Sequence, residues 1–553
     1  MTIESRRAPV RGKSLILGSE IVTLDPAAPR ATAIAVLDGR VVGAGRAEDF
    51  DTWRDAATRI ESLPPGLSAY PAFVESHAHL MGVGRQMERL YVGSPPCRSI
   101  ADIVALVRRE AARTAPGGWV VGAHYDDTLL AEQRPPSADE LSLAAPDHPV
   151  YLSHMSGHLA VVNRLALERA GITPDVDVVG VMRDGRGALT GELREGRAMG
   201  LVSRLLPEAT VADRVRWIER ASAAALHGGV TAMCESGFGS TDIDSTSAAW
   251  RAYLDADRTG RLAVRTQIFP VYGARRFVPA AYASPYLCVG PVKLFSDGSI
   301  QGHTGALRDG YHDQPGEHGR LFWTREELHE TLRTLRAEGR QVATHANGDA
   351  AIDHILDAYE AVLGGTDDFD HRWRIEHAQA ARRDQVARMA RLRVMPSFFV
   401  NHVELFGDRH RDLFLGPERA ENISPTGWAL ALGLPFSLHS DAPVTPVDPL
   451  RSIATAVGRR TSTGVLLGPE QAVPAGVALR AYTSWAAWLG RREASVGSLR
   501  PGAWADVVLL SAPVEAVADG ELPKVVGVYR AGEAIDLDAF LHAPDASGPG
   551  TRG

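Results

Sequence analysis

The sequence predicts an α/β protein: a (β/α)8 TIM barrel with a small β-sandwich domain formed from both chain ends and an insertion after barrel strand 1. Three observations lead to this prediction. Eight short apolar runs in the middle of the chain are each followed by a helical pattern, both chain ends carry β-branched runs broken by Gly and Asp, and one surplus block separates the first two apolar runs. Eight such units are what a parallel barrel with outer helices requires.

The apolar runs define the barrel domain, residues 71–484. In chain order they are AFVES, GVTAMCE, VRTQIFPVY, VKLFSD, QVATHA, RIEHA, RVMPSFF and PFSLHSD. Residues 81–215 fit no barrel unit, and we predict that this insertion caps the mouth of the barrel. Its segments WVVGAHYDD and HPVYLSHMSGHLAVVNRLAL can hold two strands and a helix of their own.

The two chain ends are predicted to build one β-domain from residues 1–70 and 485–545. SLILGSEIVTLD and TAIAVLDGRVVGAG stand near the beginning, and GSLRPGAWADVVLLSA and KVVGVYRAGEAI repeat the same strand-and-turn character near the end. The last residues, 546–553, are rich in Gly and are predicted to be a disordered tail.

Composition argues against several classes of partner. The 553 residues are 45% hydrophobic and 23% charged, and the formal charge of −8 comes with Lys and Arg scattered among acids, so neither nucleic acid nor anionic lipid is expected. No stretch reaches the roughly 18 uninterrupted apolar residues of a membrane helix, and the N-terminal residues lack the apolar segment of an export signal. Cys97, Cys234 and Cys288 form no CxxC pair, which favours a reducing cytoplasm.

The first chemical signal is a pair of histidines, His77 and His79, where the first predicted barrel strand ends. Two imidazoles presented there can bind one metal ion. Further metal-competent residues fall at the ends of other predicted strands: Lys293, His345, His377 and Asp441. Because strand ends converge on one face of a barrel, residues far apart in the chain can meet there. The sequence therefore predicts a metal centre at that face.

These motifs resemble the signature of the amidohydrolase superfamily, which has H-x-H on strand 1, lysine on strand 4, histidines on strands 5 and 6 and aspartate on strand 8. All six elements occur here in that order. The resemblance covers nearly the whole chain and extends to amidohydrolase family 3, the branch that contains N-substituted formamide deformylases and exoenzyme regulatory proteins. The segments that carry it are VKLFSDGSIQGHTGAL, THANGDAAID, RIEHAQ, SDAPVTPVDPL and GSLRPGAWADVVLL.

The resemblance implies that the chain holds one or two divalent metal ions. His77, His79 and Asp441 would bind one ion and His345 and His377 a second. Lys293 would bridge them as a carboxylated lysine, a carbamate that a deprotonated amine forms with carbon dioxide. The alternative is an unmodified lysine paired with an acid beside a single ion. Zinc suits these ligands, with manganese, iron and nickel as alternatives.

Cys234 and Glu235 end the second predicted strand and compete with Lys293 for the bridging position. The related D-aminoacylases use a cysteine from strand 2 as a metal ligand, which makes Cys234 a candidate here. In the alternative interpretation, Cys234 only packs in the protein core, and Glu235 orients a ligand without contacting the metal.

Several residues are candidate substrate contacts. Tyr125, Asp126 and His158 lie in motifs of the insertion that related proteins direct toward the active site. His303 stands where relatives usually have an arginine, so a titratable imidazole replaces a fixed cation and recognition of an anion at this position is in doubt.

Three further candidates lie at the end of the seventh predicted strand or just after it. Phe398 and Phe399 predict an apolar pocket wall, with His402 as a polar anchor, and such a pocket suits a small organic amide. A core role for the two phenylalanines is the alternative. Asn347 and Asp349 are predicted to hold the loop after the fifth strand through bonds to the backbone.

The predicted activity is hydrolysis of a C–N bond in a small amide, formamide or N-acyl substrate. Metal-activated water would attack the carbonyl carbon, and Asp441 would act as general base and then as general acid. Carbamate, ester or cyclic-amide hydrolysis and decarboxylation are alternatives for the same site, and a non-catalytic metal-binding regulator is an alternative from another class. The sequence leaves the oligomeric state open, with a homodimer as one option.

Overall fold

The computed structural model describes residues 12–240, 242–364 and 370–537, so the predicted tail at 546–553 lies outside the described residues. The first strands are β1 (Lys13–Val22), β2 (Arg30–Leu37), β3 (Arg40–Gly45), β4 (Arg59–Ser62) and β5 (Ser68–Pro71). A tight turn joins β2 to β3 because Asp38 and Gly39 both adopt positive φ, 49° and 78°, the backbone that a two-residue hairpin requires.

The first barrel strand, β6 (Phe73–Glu75), leads into α1 (Leu80–Gln86) and then into the insertion. The insertion contains β7 (Leu90–Tyr91), α2 (Ile100–Ala111), β8 (Val120–Tyr125), α3 (Ala138–Ala144), β9 (Val150–His154), β10 (Leu159–Val162), α4 (Arg164–Arg169), β11 (Val181–Arg183), β12 (Leu189–Arg194) and α5 (Glu195–Ser203). Its strands form one sheet in the order β11-β12-β10-β9-β8-β7. Two clusters of buried apolar side chains lie within it, so the insertion has a core of its own.

The chain then continues through the barrel. The strands are β13 (Val230–Phe238), β14 (Arg265–Pro270), β15 (Leu287–Val289), β16 (Val292–Phe295), β17 (Val342–Ala346), β18 (Arg374–His377), β19 (Met395–Phe398) and β20 (Ser437–Leu438). The helices are α6 (Val211–His227), α7 (Ile243–Arg258), α8 (Arg325–Ala337), α9 (Asp349–Leu363), α10 (Arg383–Leu392), α11 (Asn401–Arg409), α12 (Pro417–Ala420), α13 (Thr426–Ala431), α14 (Pro449–Gly458), α15 (Ala475–Ala481) and α16 (Ser484–Leu489).

All eight predicted barrel runs form strands, and neighbouring strands pair in parallel, but the barrel is not closed. One ladder has the order β15-β14-β13-β6 and the other the order β16-β17-β18-β19-β20. The unpredicted strand β15 pairs with β14 along Thr266–Ile268, where β16 would otherwise pair, and a single bridge from Val271 to Lys293 joins the ladders. At the other seam, Asp441 N donates to His77 O at 3.1 Å in place of a ladder.

The last strands, β21 (Val507–Leu510), β22 (Val525–Arg530) and β23 (Glu533–Ala534), pair with the first ones. The order is β23-β22-β21-β5-β1-β2-β3, with β4 beside β1, so both chain ends build one eight-stranded sheet. Because these strands form a single hydrogen-bonded sheet, the predicted two-layer sandwich is not confirmed.

A buried ion pair ties this terminal sheet to the barrel. The guanidinium of Arg265, at the start of β14, donates to both carboxylate oxygens of Asp506, from Nε at 2.8 Å and from Nη2 at 3.2 Å. Asp506 also accepts from Ala531 N at 2.7 Å. Burial alone would raise the pKa of Asp506, but Arg265 outweighs burial and holds that pKa below its usual range. Among the described residues, no helix is both long and apolar enough to cross a bilayer.

Candidate metal centre

Three of the predicted ligands bring their ligand atoms within 4.8 Å of one another: His77, His377 and Asp441. They follow or end β6, β18 and β20, whose carboxyl ends lie on one face of the barrel. Asp441 Oδ1 lies 3.4 Å from His77 Nε2 and 3.3 Å from His79 Nε2, and Asp441 Oδ2 lies 4.0 Å from His377 Nδ1. The structure thus brings four of the six predicted ligands together, with three imidazoles around the Asp441 carboxylate.

The backbone at this cluster is held in an uncommon conformation. His377 and Asp441 have φ values of 68° and 52°, in the left-handed region that only a few per cent of residues other than Gly adopt. Strained backbone of this kind persists only where surrounding contacts over-determine it, and it is concentrated at functional sites. Burial would raise the pKa of Asp441, but His377, His77 and His79 hold it well below its usual range. Asp441 is therefore an anion facing three imidazoles.

Glu376 fixes the ring of His77, a role that the sequence analysis missed. Its Oε2 lies 2.5 Å from His77 Nδ1, and Arg374 donates to its two oxygens at 2.5 and 3.0 Å. The pKa of Glu376 is lowered because Arg374 and His77 outweigh burial. With Nδ1 bonded to a carboxylate, His77 turns Nε2 toward Asp441, the arrangement that orients metal-binding histidines.

Replacing Glu376 with Gln is expected to weaken metal binding by about 10- to 100-fold, because it removes the anion that orients His77. Competition with a chromophoric chelator measures this affinity. Glu360→Gln, which alters a carboxylate paired with Arg388 on the outer helices, is the matched control. Equal affinity of Glu376→Gln and native protein would contradict the role assigned to Glu376.

Lys293 is buried on β16, and its Nζ has no hydrogen-bond partner among the described residues. Burial lowers its pKa to about 8, although Glu376 and Asp441 act in the opposite direction. The lysine therefore lies within electrostatic range of the cluster as a partly neutral amine. The fraction without a proton is the form that carbamate formation consumes.

The side chains of Cys234 and Glu235 already form hydrogen bonds with other residues of the protein. Cys234 Sγ accepts from Ala78 N at 3.2 Å, and burial raises the pKa of this thiol well above its usual value. Glu235 accepts from Met81 N at 2.7 Å and from the Tyr253 hydroxyl. Neither belongs to the group of three close ligand atoms. Glu235 instead fixes the beginning of α1, directly after His79.

His345 lies beside the cluster, with its ring centroid 4.7 Å from that of His377. Its Nε2 lies 3.0 Å from Gly298 O and 3.4 Å from Asp297 Oδ1. The side-chain amide of Asn347 donates to Gly298 O at 3.0 Å, and the Asp349 carboxylate accepts from Arg308 N at 3.0 Å. Asn347 and Asp349 thus bond to neighbouring loops, as the sequence predicts.

A further imidazole, His439, lies in the cluster although the sequence analysis did not select it. Its ring centroid is 4.8 Å from that of His77 and 5.1 Å from that of His377, and both of its buried ring nitrogens lack partners among the described residues. The available signal was its position directly after β20 and two residues before the predicted ligand Asp441.

The end of β19 and the residues that follow it divide between site and core. Phe399 lies 5.3 Å from His439 and 4.1 Å from His402, between ring centroids, so it borders the cluster. Phe398 instead packs at 5.6 Å against Phe436 in the main core. Successive side chains of a strand point to opposite faces, so only one of the two phenylalanines can face the site.

Of the three insertion residues predicted to contact substrate, His158 lies against a predicted ligand, with its ring centroid 5.6 Å from that of His345. Its Nδ1 lies 3.0 Å from Glu195 Oε2. Tyr125 is buried against His154, with ring centroids 5.0 Å apart. Asp126 pairs with Arg409 Nη1 at 2.5 Å, which links the insertion to α11.

A second group of close ligand atoms, from Asp126, Asp127 and His154, lies in the insertion. Arg409 already supplies a cation to it through Asp126. His303 pairs with Asp313 at 3.0 Å and packs against Tyr311 and Phe414, and among the described residues it makes no hydrogen bond or ring contact with the barrel cluster.

The barrel cluster fits a divalent cation. Zinc binds nitrogen and oxygen ligands at about 2.0–2.2 Å, which places two ligand atoms of one ion about 3–4 Å apart. The separations of 3.3, 3.4 and 4.0 Å around Asp441 match this spacing. Lys293 Nζ, His377 Nδ1 and Asp441 Oδ1 are buried without hydrogen-bond partners among the described residues. Each such atom costs about 1–3 kcal/mol unless a ligand satisfies it.

A parallel α/β barrel with an imidazole and carboxylate cluster at its strand ends is the architecture of a metal-dependent hydrolase. The sequence profile of the amidohydrolase family matches residues 65–535. The chain belongs to the amidohydrolase family.

Individual relatives can be aligned with this chain over nearly its whole length. Protein LONG AFTER FAR-RED 3 of Arabidopsis thaliana is 32% identical, covering 90% of this chain and 87% of its own. The N-substituted formamide deformylase of Arthrobacter pascens is 29% identical, covering 92% and 95%. An uncharacterized metal-dependent hydrolase from Pyrococcus horikoshii superposes with a TM-score of 0.74 at 26% identity, covering 92% and 99%.

Proposed function

We propose that the protein hydrolyses a C–N bond in a small amide, formamide or N-acyl compound with the help of a divalent metal ion. The observation that carries this proposal is the meeting of His77, His377 and Asp441 at the strand ends. The Arthrobacter relative, named as an N-substituted formamide deformylase, supports formamides as the first substrates to test. Residence in a reducing cytoplasm and assembly into a homodimer stay predictions.

His77, His79, His377 and Asp441 would hold one metal ion, with His345 beside a second position. Zinc is our first expectation, because imidazole and carboxylate ligands suit it. Such an ion supplies a Lewis acid for the carbonyl oxygen and makes water a strong nucleophile near neutral pH. Lys293 would add its neutral amine to carbon dioxide, forming an N–C bond and releasing a proton. Its buried, unpartnered Nζ supports that step.

Asp441 would move the proton between water and the leaving group. Its lowered pKa makes it an anion at neutral pH, ready to accept the proton of the attacking water. It would then deliver that proton to the departing nitrogen, so that the product leaves as a neutral amine. Phe399 and His402 would form one side of the substrate pocket, and His158 would reach it from the insertion.

Metal removal is expected to abolish hydrolysis, because no other described group at the cluster replaces the Lewis acid. We suggest dialysis against a chelator, re-addition of zinc, manganese, iron or nickel, and release of primary amine from a panel of N-substituted formamides. Activity should return with one or two metal ions per chain, as counted by elemental analysis.

Controls for this experiment separate the alternative reactions. Matched carbamates, esters and cyclic amides test the same site, and release of carbon dioxide reports decarboxylation. Full hydrolysis by protein with far less than one metal ion per chain would refute the proposal.

A further inference from the structure

A largely buried ion pair joins the insertion to the barrel beside the candidate pocket. Asp126 directly follows β8 of the insertion, and Arg409 is the last residue of α11. Arg409 Nη1 donates to Asp126 Oδ2 at 2.5 Å and also to the Thr128 hydroxyl. The side chains of Arg409 and Asp126 are 13% and 3% exposed, so water and salt weaken this pair less than a surface pair.

The insertion itself fixes the orientation of Asp126. Its Oδ1 accepts from Thr128 N at 3.1 Å and from the Thr128 hydroxyl at 2.6 Å. These bonds leave Oδ2 directed at Arg409. Burial would raise the pKa of Asp126, but His154 and Arg409 outweigh burial and hold that pKa below its usual range. Asp126 is therefore an anion with a fixed direction.

Arg409 is held equally firmly on the barrel side. Its guanidinium carbon lies 4.8 Å from the ring centroid of Phe406, which is three residues earlier and so on the same face of α11. Its Nη2 donates to Leu405 O at 2.8 Å. Contacts to Asp126, Phe406 and Leu405 together fix where the end of α11 lies relative to the insertion.

Phe406 connects Arg409 to the side chains of the candidate pocket. Its ring centroid lies 5.6 Å from that of His402, and the His402 centroid lies 4.1 Å from that of Phe399. The Phe399 centroid is 6.1 Å from that of His377, a predicted metal ligand. Protein interiors are close-packed and contain few voids, so neighbouring side chains move together. A shift of α11 should therefore move His402 and Phe399.

The residue after Arg409 gives α11 a second connection to the metal cluster. His410 Nδ1 donates to Phe406 O at 2.7 Å, and its Nε2 accepts from the side-chain amide of Gln379, two residues after His377. His410 also begins a π-helical turn, residues His410–Phe414, and such wide turns are rare and concentrated at functional sites. The end of α11 thus contacts both the insertion and the loop that follows β18.

We propose that Arg409 is a positioning residue through which the insertion holds His402 and Phe399 against the substrate. Asp126 would act through Arg409 and would not touch the substrate itself. This inference rests on the proposed hydrolysis and adds a selection by size: a bulky substituent on the amide nitrogen packs against His402 and Phe399, whereas a methyl group does not reach them. Without the ion pair, α11 loosens and the bulky substituent loses its fit.

The test compares two substrates that differ only in the size of the N-substituent, N-benzylformamide and N-methylformamide. Asp126→Asn and Arg409→Gln should each lower the benzyl-to-methyl ratio of kcat/KM at least about fivefold. A higher KM for N-benzylformamide should cause most of this change, because the predicted metal ligands stay in place. The double variant should lower the ratio no further than either single variant, because both changes break the same pair.

Asp139→Asn is the matched control. Asp139 pairs with Arg164 at 2.7 Å inside the insertion, so its change alters an ion pair that does not reach the barrel, and the native ratio should be kept. Because each ratio is taken within one variant, loss of folded protein cancels. Hydrolysis of both substrates with an unchanged or increased ratio in Asp126→Asn and Arg409→Gln would overturn this inference and leave the proposed function intact.

Amide hydrogen exchange tests the same contact without turnover, which separates failure of this inference from failure of the proposed function. In metal-loaded protein, Asp126→Asn should increase exchange in α11, on the opposite side of the ion pair, at least about fivefold, and Asp139→Asn should not. That result supports the positioning role even if no formamide is hydrolysed. Native exchange rates in α11 of Asp126→Asn would overturn the role, whatever the activity.

Discussion

Replacing Asp441 with Asn is expected to lower kcat/KM for amide or formamide hydrolysis at least a thousandfold. The variant loses a proton acceptor, a contribution typically of 10²- to 10⁴-fold, and also an anionic metal ligand. Asn keeps the shape of the side chain and tolerates the left-handed backbone found at position 441, with φ of 52°. Loss of activity would therefore reflect chemistry and not misfolding.

Steady-state kinetics at saturating metal and elemental analysis of the same samples would measure both effects of Asp441→Asn. Asp412→Asn is the matched control, because Asp412 pairs with Arg411 on the surface, where such pairs contribute little. If Asp441→Asn kept its full metal content and turned over within tenfold of the native rate, Asp441 could not be the group that moves the proton.

Replacing Asp506 with Ala is expected to lower the free energy of unfolding by about 3–5 kcal/mol, because it leaves Arg265 charged and unpaired in the interior. Arg265 is fully buried and stacks over Trp504 at 3.9 Å, so it cannot reach water without moving that ring. The same change frees Ala531 N, which donates to Asp506. The terminal sheet should therefore loosen from the barrel first.

Urea denaturation followed by tryptophan fluorescence measures this loss. Asp255→Ala breaks an exposed pair with Arg258 and should cost less than about 1 kcal/mol. The pKa of Asp506 is lowered in the folded protein, so its contribution is present above the ordinary carboxyl range and is lost as pH falls through the folded value. The difference in free energy of unfolding between native protein and Asp506→Ala should therefore decrease at acidic pH. An increase in that difference at acidic pH would contradict the stabilising role assigned to Asp506.

The barrel strands could be predicted from sequence because parallel strands covered on both faces are continuous apolar runs. GVTAMCE is largely such a run, whereas RIEHA and QVATHA are more polar, and each of these two carries a histidine as its next-to-last residue that the fold brings to the site. The break in the barrel could not be predicted in this way. It arises because β15, a strand of three residues, pairs with the edge of β14. The sequence of β15, LCV, has no pattern that distinguishes a strand from a loop.

The residues that orient the predicted metal ligands were harder to predict than the ligands themselves. Arg374 and Glu376 are charged residues two positions apart in a buried strand, so their side chains lie on the same face. Their role in orienting His77 becomes visible only from the contact between Glu376 and His77 in the structure. Phe398 and Phe399 show the opposite difficulty: alternation requires one to face the core, and the sequence alone does not say which.

The insertion leaves the barrel and returns to it at a single junction. The chain leaves the barrel at α1 and returns at α6, and Glu88 bonds to Arg216 and Trp217 so that exit and return lie side by side. The insertion between them folds around its own core. We therefore expect changes within the insertion to alter which molecules reach the metal cluster while leaving the barrel ligands in place.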